Sequence, residues 1–168
     1  MRILFLHGLE SNPGCEKVQY LENQGHAVQS PSIDYHDDQS YENLCTLTSH
    51  GNYDIIIGSS MGGWFAWNLG KELGVPVLLL NPALHSRSIE PIIGSWAGEF
   101  YATSRVFLGL GQQDTIIDGD MTIKWLNEND QCDWKHDLIK CNHGHRTPVD
   151  IFVTIFEYFE ESILKINA

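Results

Sequence analysis

Short apolar runs separated by stretches with a helical apolar period set the rhythm of this chain. Ile3 to Leu6, Asp54 to Ile57, Val75 to Leu80, Arg105 to Leu110 and Leu138 to Cys141 are continuous rather than alternating, and a weaker run lies around Ala27-Val28. Unbroken Ile, Val and Leu is the pattern of strands covered by helices on both faces, so these runs predict a mostly parallel sheet of about six strands. Between them the spacing predicts helices over Pro13 to Gln24, Gln39 to Ser49, Met61 to Leu73, Gly119 to Asn129 and Pro148 to Ile166.

The last of these has the clearest signals. Thr147 is placed to cap it, Pro148 fits its first turn, Asp150 suits the positive end of the helix dipole, and Ile151, Ile155, Phe159 and Ile163 form one stripe. Strands and helices that alternate in this way fold as a doubly wound α/β domain with right-handed crossovers. The expectation is a minimal three-layer αβα sandwich in which residues 1–168 form a single domain.

Length and composition narrow the possibilities. The 168 residues are enough for a layered core but too few for a catalytic domain plus an independent second one. Seven Phe, six Tyr and five Trp in a chain that is 42% hydrophobic describe a globular protein rather than a disordered one. The 22 acidic residues outnumber the 10 Lys and Arg, for a formal charge of −12, so a polyanion meets repulsion; no nucleic-acid partner and no membrane partner is expected. No apolar run approaches the ~20 residues of a spanning helix. The opening Met1 to Leu6 lacks the basic region and cleavage pattern of a secretory leader, which points to the cytoplasm. Cys15, Cys45, Cys132 and Cys141 show no CxxC spacing and are expected as free thiols.

Chemistry enters at Asp54-Ile55-Ile56-Ile57-Gly58-Ser59-Ser60-Met61-Gly62-Gly63, where GxSxG falls between a strand and a helix. In the α/β-hydrolase fold this motif is a sharp turn that exposes a serine, with glycine two residues away on either side to let backbones approach. Ser60, not Ser59, has that flanking, and the Met61 N–H at the start of the helix is the natural donor to an oxyanion. A second donor belongs on the loop after the first strand, here His7-Gly8-Leu9-Glu10-Ser11-Asn12-Pro13, which nominates the Leu9 N–H.

A serine hydroxyl needs a base held by an acid, and in this fold they follow in the order Ser, Asp or Glu, His. Asp114 stands just beyond the Arg105 to Leu110 run, whereas Asp118 and Asp120 read as helix-start residues. Two histidines, His143 and His145, lie between the last strand and the terminal helix; His145 follows a glycine, directly precedes the helix and is favoured as base. Residues 84–104, with Trp96, Phe100 and Tyr101, are too few for a large lid and read as either a short cap or a crossover helix.

The other histidines, His26, His36, His50, His85 and His136, lack metal-ligand spacing, and Asp34, Asp37 and Asp38 with His36 read as a solvated loop, so no metal is expected. Two rival readings remain. One is an inactive hydrolase-fold binding module; the other is a flavodoxin-like binder with Gly58 to Gly63 around a phosphate, which leaves the ordered Asp114 and His145 unexplained.

With these residues in view, the chain resembles the YqiA-like group of small bacterial α/β-hydrolase esterases. Leu4 to Pro13 resembles the group's opening strand and HGxxSxP loop, Gly58 to Gly63 its GSSxGG elbow, and Leu80-Asn81-Pro82-Ala83 its NPA turn. The group often carries GGNH before its base, where this chain has Asn142-His143-Gly144-His145. The resemblance implies an esterase, or a thioesterase, acting on a small-molecule acyl substrate without a cofactor; a peptidase with the same triad is a further possibility.

Overall fold

The computed structural model describes residues 1–94, 105–129 and 136–166. Six strands and five helices follow one another along them: β1 (Arg2–Leu6), α1 (Glu16–Asn23), β2 (Ala27–Gln29), α2 (Ser40–Thr48), β3 (Ile55–Ser59), α3 (Met61–Leu73), β4 (Val77–Leu80), β5 (Val106–Gly111), α4 (Gly119–Asn129), β6 (His136–Cys141) and α5 (Val149–Ile166), alternating except between β4 and β5. The strands form one sheet in the order β2-β1-β3-β4-β5-β6, every neighbouring pair parallel.

Strand side chains alternate between faces, and that parity sorts the core into two layers. Ile3, Phe5, Ile55, Ile57, Leu78, Leu80 and Phe107 face α1 and α5. Leu4, Leu6, Ile56, Val77, Leu79, Val106, Leu108 and Leu110 face α2, α3 and α4. This is the expected three-layer sandwich. The outer strands depart from the expectation of cover on both faces: Ala27 in β2 and Leu138 and Lys140 in β6 are exposed, because an edge strand here carries helix on one side only.

Boundaries differ from the sequence expectation where local chemistry intervenes. Gly14, at φ +72°, turns the chain left-handed, so α1 starts at Glu16 rather than Pro13. Val75 donates its N–H to the Gly70 carbonyl at the end of α3, and Pro76 has none to give, so β4 starts at Val77. The stripe on α5 is richer than expected, with Phe152 and Phe156 buried beside Ile155, Phe159 and Ile163, while Ile151 is only half-buried. Thr147 does not cap α5 through its side chain: it is buried and its hydroxyl has no hydrogen-bond partner. Cys15, Cys45 and Cys141 are free thiols; Cys132 lies outside the described residues.

Residues 81–94 form neither helix nor strand, and the rest of the expected cap or crossover helix, with Trp96, Phe100 and Tyr101, lies outside the described residues. No helix among the described residues is long and apolar enough to cross a membrane.

The sheet order determines where a site can form. From β1 the chain crosses to β2 on one side, and from β3 it crosses to β4 on the other, so the loops after β1 and β3 diverge from adjacent strand ends. Such a switch point leaves a crevice at the carboxyl ends of the strands.

Candidate active site

Ser60 occupies that crevice. It joins β3 to α3 with φ +53° and ψ −117°, outside the usual left-handed well, and among the described non-glycine residues only Asn81 shares a positive φ. The glycines around it are required by close approach. A Cβ on Gly58 would collide with the Gly62 carbonyl, one on Gly62 with the Leu6 and His7 carbonyls, and one on Gly63 would stand 2.6 Å from Pro82 Cβ. The start of α3 is thus pressed onto the end of β1, which no larger residue would permit.

Although Ser60 is the N-cap of α3, its hydroxyl makes no capping bond. It lies 2.9 Å from His145 Nε2 instead. His145 Nδ1 lies 2.8 Å from Asp114 Oδ2, and the Asp114 side chain is only 1% exposed. The carboxylate accepts at Nδ1, so the imidazole proton resides there, and Nε2 offers its lone pair to the serine O–H. Asp114 is itself fixed, because Oδ1 accepts the N–H groups of Ile116 and Ile117 at 2.8 and 2.9 Å.

The structure therefore brings together Ser60, Asp114 and His145. His143 points elsewhere: it is buried, its Nδ1 donates to the Gly144 carbonyl at 2.7 Å, and its Nε2 has no partner. Asp118 Oδ1 accepts the Asp120 and Met121 N–H groups and so starts α4, as expected from sequence. Those two bonds lead the causes that hold its carboxyl below the ordinary range. Asp34 and Asp37 each accept a backbone N–H two residues ahead, from His36 and Gln39.

On the β1 side, His7 has a role that sequence reasoning missed. Its Nε2 accepts the Ile33 N–H at 3.1 Å, which leaves the proton on Nδ1 to be donated to the Gly8 carbonyl at 2.7 Å. The Tyr35 hydroxyl donates to the His7 carbonyl. The Gly8 carbonyl also accepts from the Ser11 N–H at 3.1 Å and the Ser11 hydroxyl at 3.2 Å. In a planar trans peptide N–H and C=O point opposite ways, so this threefold grip directs the Leu9 N–H away from Ser11. The loop lies against the elbow, since a Cβ on Gly8 would be 3.3 Å from Ser60 Cβ. Met61, next to Ser60, has its N–H in the first turn of α3, where helical N–H groups lack partners within the helix.

A parallel αβα sandwich with a glycine-flanked serine between β3 and α3 defines the α/β-hydrolase fold. The chain belongs to the uncharacterised protein family UPF0227, whose family model matches residues 2–108, in line with the YqiA-like resemblance of its opening strand, elbow and NPA turn. Solved structures share the fold at low identity. Mouse alpha/beta hydrolase domain-containing protein 10 is 16% identical at a TM-score of 0.71, over 98% of this chain and 90% of its own. The esterase domain of a Rhodothermus marinus protein is 13% identical at 0.64, over 95% and 86%. Est1E from Butyrivibrio proteoclasticus is 14% identical at 0.65, over 97% and 88%.

Proposed function

We propose that this protein is a serine hydrolase that cleaves small acyl esters through Ser60, His145 and Asp114. The observation that carries the reading is the continuous relay from Ser60 Oγ to His145 Nε2 at 2.9 Å and from His145 Nδ1 to Asp114 Oδ2 at 2.8 Å. In this mechanism Ser60 Oγ attacks the ester carbonyl carbon while Nε2 takes its proton, and Asp114 stabilises the imidazolium without being protonated. The tetrahedral oxyanion is held by the Met61 and Leu9 N–H groups, each contributing about 3 kcal/mol to the barrier reduction. Collapse breaks the bond to the alkoxy oxygen, which leaves as alcohol with the proton from Nε2. Water, deprotonated by the same nitrogen, then releases the acid and restores Ser60.

Support for ester substrates comes from the esterase domain among the structures of like fold, and support for small ones from the few residues, 81–105, that join β4 to β5. Rates on p-nitrophenyl esters of increasing acyl length, with fluorophosphonate labelling in parallel, test the reading. Wild type turns over and is labelled, Ser60→Ala and His145→Ala do neither, and His143→Ala keeps most of its activity. Ester cleavage that survives Ser60→Ala would defeat the proposal.

A further inference from the structure

Asn81 is a buried polar residue with no part in the chemistry above, yet its amide is almost fully used. It follows β4, is 1% exposed and holds φ at +42°. Oδ1 accepts the Gly111 N–H at 2.7 Å, at the end of β5. Nδ2 donates to the carbonyls of His145 at 2.7 Å and Gly144 at 3.1 Å, in the loop between β6 and α5. A backbone N–H can only donate and a carbonyl only accept, so the orientation of the amide is unambiguous.

The turn around Asn81 reaches the backbone of all three triad positions. Leu80 O accepts the Ser60 N–H at 3.0 Å, and the Ala83 N–H donates to Ser60 O at 3.0 Å. Asn81 N–H donates to Gly109 O at 3.0 Å, and the Gly111 carbonyl in turn accepts the Asp114 N–H at 3.2 Å. The base is held directly, through its own carbonyl. Sequence separations of 21, 33 and 64 residues from Asn81 to Ser60, Asp114 and His145 follow from their numbers, so this turn is where distant chain segments are brought into mutual register.

We propose that Asn81 is a positioning residue of the hydrolase: its side-chain amide ties the loop bearing the base to the strand end bearing the acid, and so sets the Asp114–His145–Ser60 alignment. This rests on the serine-hydrolase reading above. An apolar side chain of similar size would fill the space but leave the His145 carbonyl and the Gly111 N–H unpaired, with the Gly144 carbonyl held by His143 Nδ1 alone, and small misplacements of reacting groups cost rate steeply.

The test compares wild type with Asn81→Ala and Asn81→Asp, with thermal melts to establish folding. Asn81→Ala lowers kcat by about 10- to 100-fold with KM within about twofold. The low-field NMR resonance of the His145 Nδ1–H, which depends on the bond to Asp114, broadens or moves upfield. Asn81→Asp keeps the shape and the acceptor for Gly111, but its carboxylate faces two carbonyl oxygens; protonation restores one donor. Its kcat relative to wild type therefore rises as pH is lowered from about 8 to about 6, whereas the Asn81→Ala ratio stays flat.

If Asn81→Ala does not fold, Asn81→Asp decides alone. A folded variant with kcat within about twofold of wild type, an unmoved His145 resonance or an Asn81→Asp ratio independent of pH overturns the inference. Wild type that neither hydrolyses esters nor labels with fluorophosphonate would instead defeat the hydrolase reading, and the NMR arm would still report on Asn81.

Discussion

Asp114 meets His145 with one carboxylate oxygen while its other oxygen is tied to the backbone: Oδ2 lies 2.8 Å from Nδ1, and Oδ1 accepts the Ile116 and Ile117 N–H groups. This division predicts the effect of Asp114→Asn. The amide oxygen must stay with the two N–H donors, which leaves the NH2 group facing Nδ1. His145 then carries its proton on Nε2, opposite the Ser60 hydroxyl, where it cannot act as base. We expect kcat to fall by about ten-thousand-fold with little change in melting temperature. A loss below about tenfold would mean that the tautomer is not set by this carboxylate.

Ser60 makes the opposite trade of stability for geometry. Its backbone at φ +53° and ψ −117° is one that L-residues avoid and glycine accepts. Ser60→Gly should therefore abolish turnover and raise stability by about 1–3 kcal/mol, a gain of several degrees in melting temperature for a chain of this size. Ser60→Ala removes the same hydroxyl and keeps the strain. A variant pair with equal melting temperatures would show that the elbow is not strained.

The glycines of the elbow should respond unequally. A Cβ on Gly62 runs into two backbone carbonyls at the end of β1, which cannot swing aside, whereas one on Gly8 sits 3.3 Å from its nearest neighbours. Gly62→Ala should cost about 3 kcal/mol or more and leave little folded protein, by analogy with overpacked cores. Gly8→Ala should fold and show reduced turnover. Urea denaturation of both variants checks the order, and similar midpoints would contradict it.

Much of this arrangement was legible from the chain, and the exceptions share one cause. The strand and helix rhythm and GxSxG are patterns of nearby residues, which periodicity and spacing report, and Asp114 and His145 could be picked out at a distance because each stands just beyond a strand in the chain order the fold expects. His143 and His145 are two residues apart in one loop, and what separates them is direction: His143 is turned to the Gly144 carbonyl, His145 to Ser60. Asn81 read only as part of an NPA turn, because its partners at Gly111, Gly144 and His145 come from strand ends that the sheet alone brings together. His7 read only as the first residue of the loop that nominates the Leu9 N–H for the same reason, since the N–H that fixes its tautomer belongs to Ile33. Thr147 shows the converse, a capping residue type whose hydroxyl makes no capping bond once buried.

Acid sensitivity should centre on His26, far from the chemistry. Burial is the larger cause lowering its pKa below the usual 6.5, and the Met1 ammonium near its Nδ1 adds to it, outweighing Glu160 at 3.6 Å, which favours the charged form. A base with a depressed folded pKa binds protons more readily when unfolded, so ∂ΔG/∂pH is positive in that interval. Its contribution is complete above the unfolded value of 6.5 and is lost as pH falls through the folded value. The ring also packs edge-on against Phe156 at 5.5 Å, so His26→Phe keeps an aromatic there and removes the titration. Between about pH 7 and about pH 5.5 wild type should lose on the order of 1–3 °C of melting temperature relative to His26→Phe. A difference that stays constant across that range would place the sensitivity elsewhere.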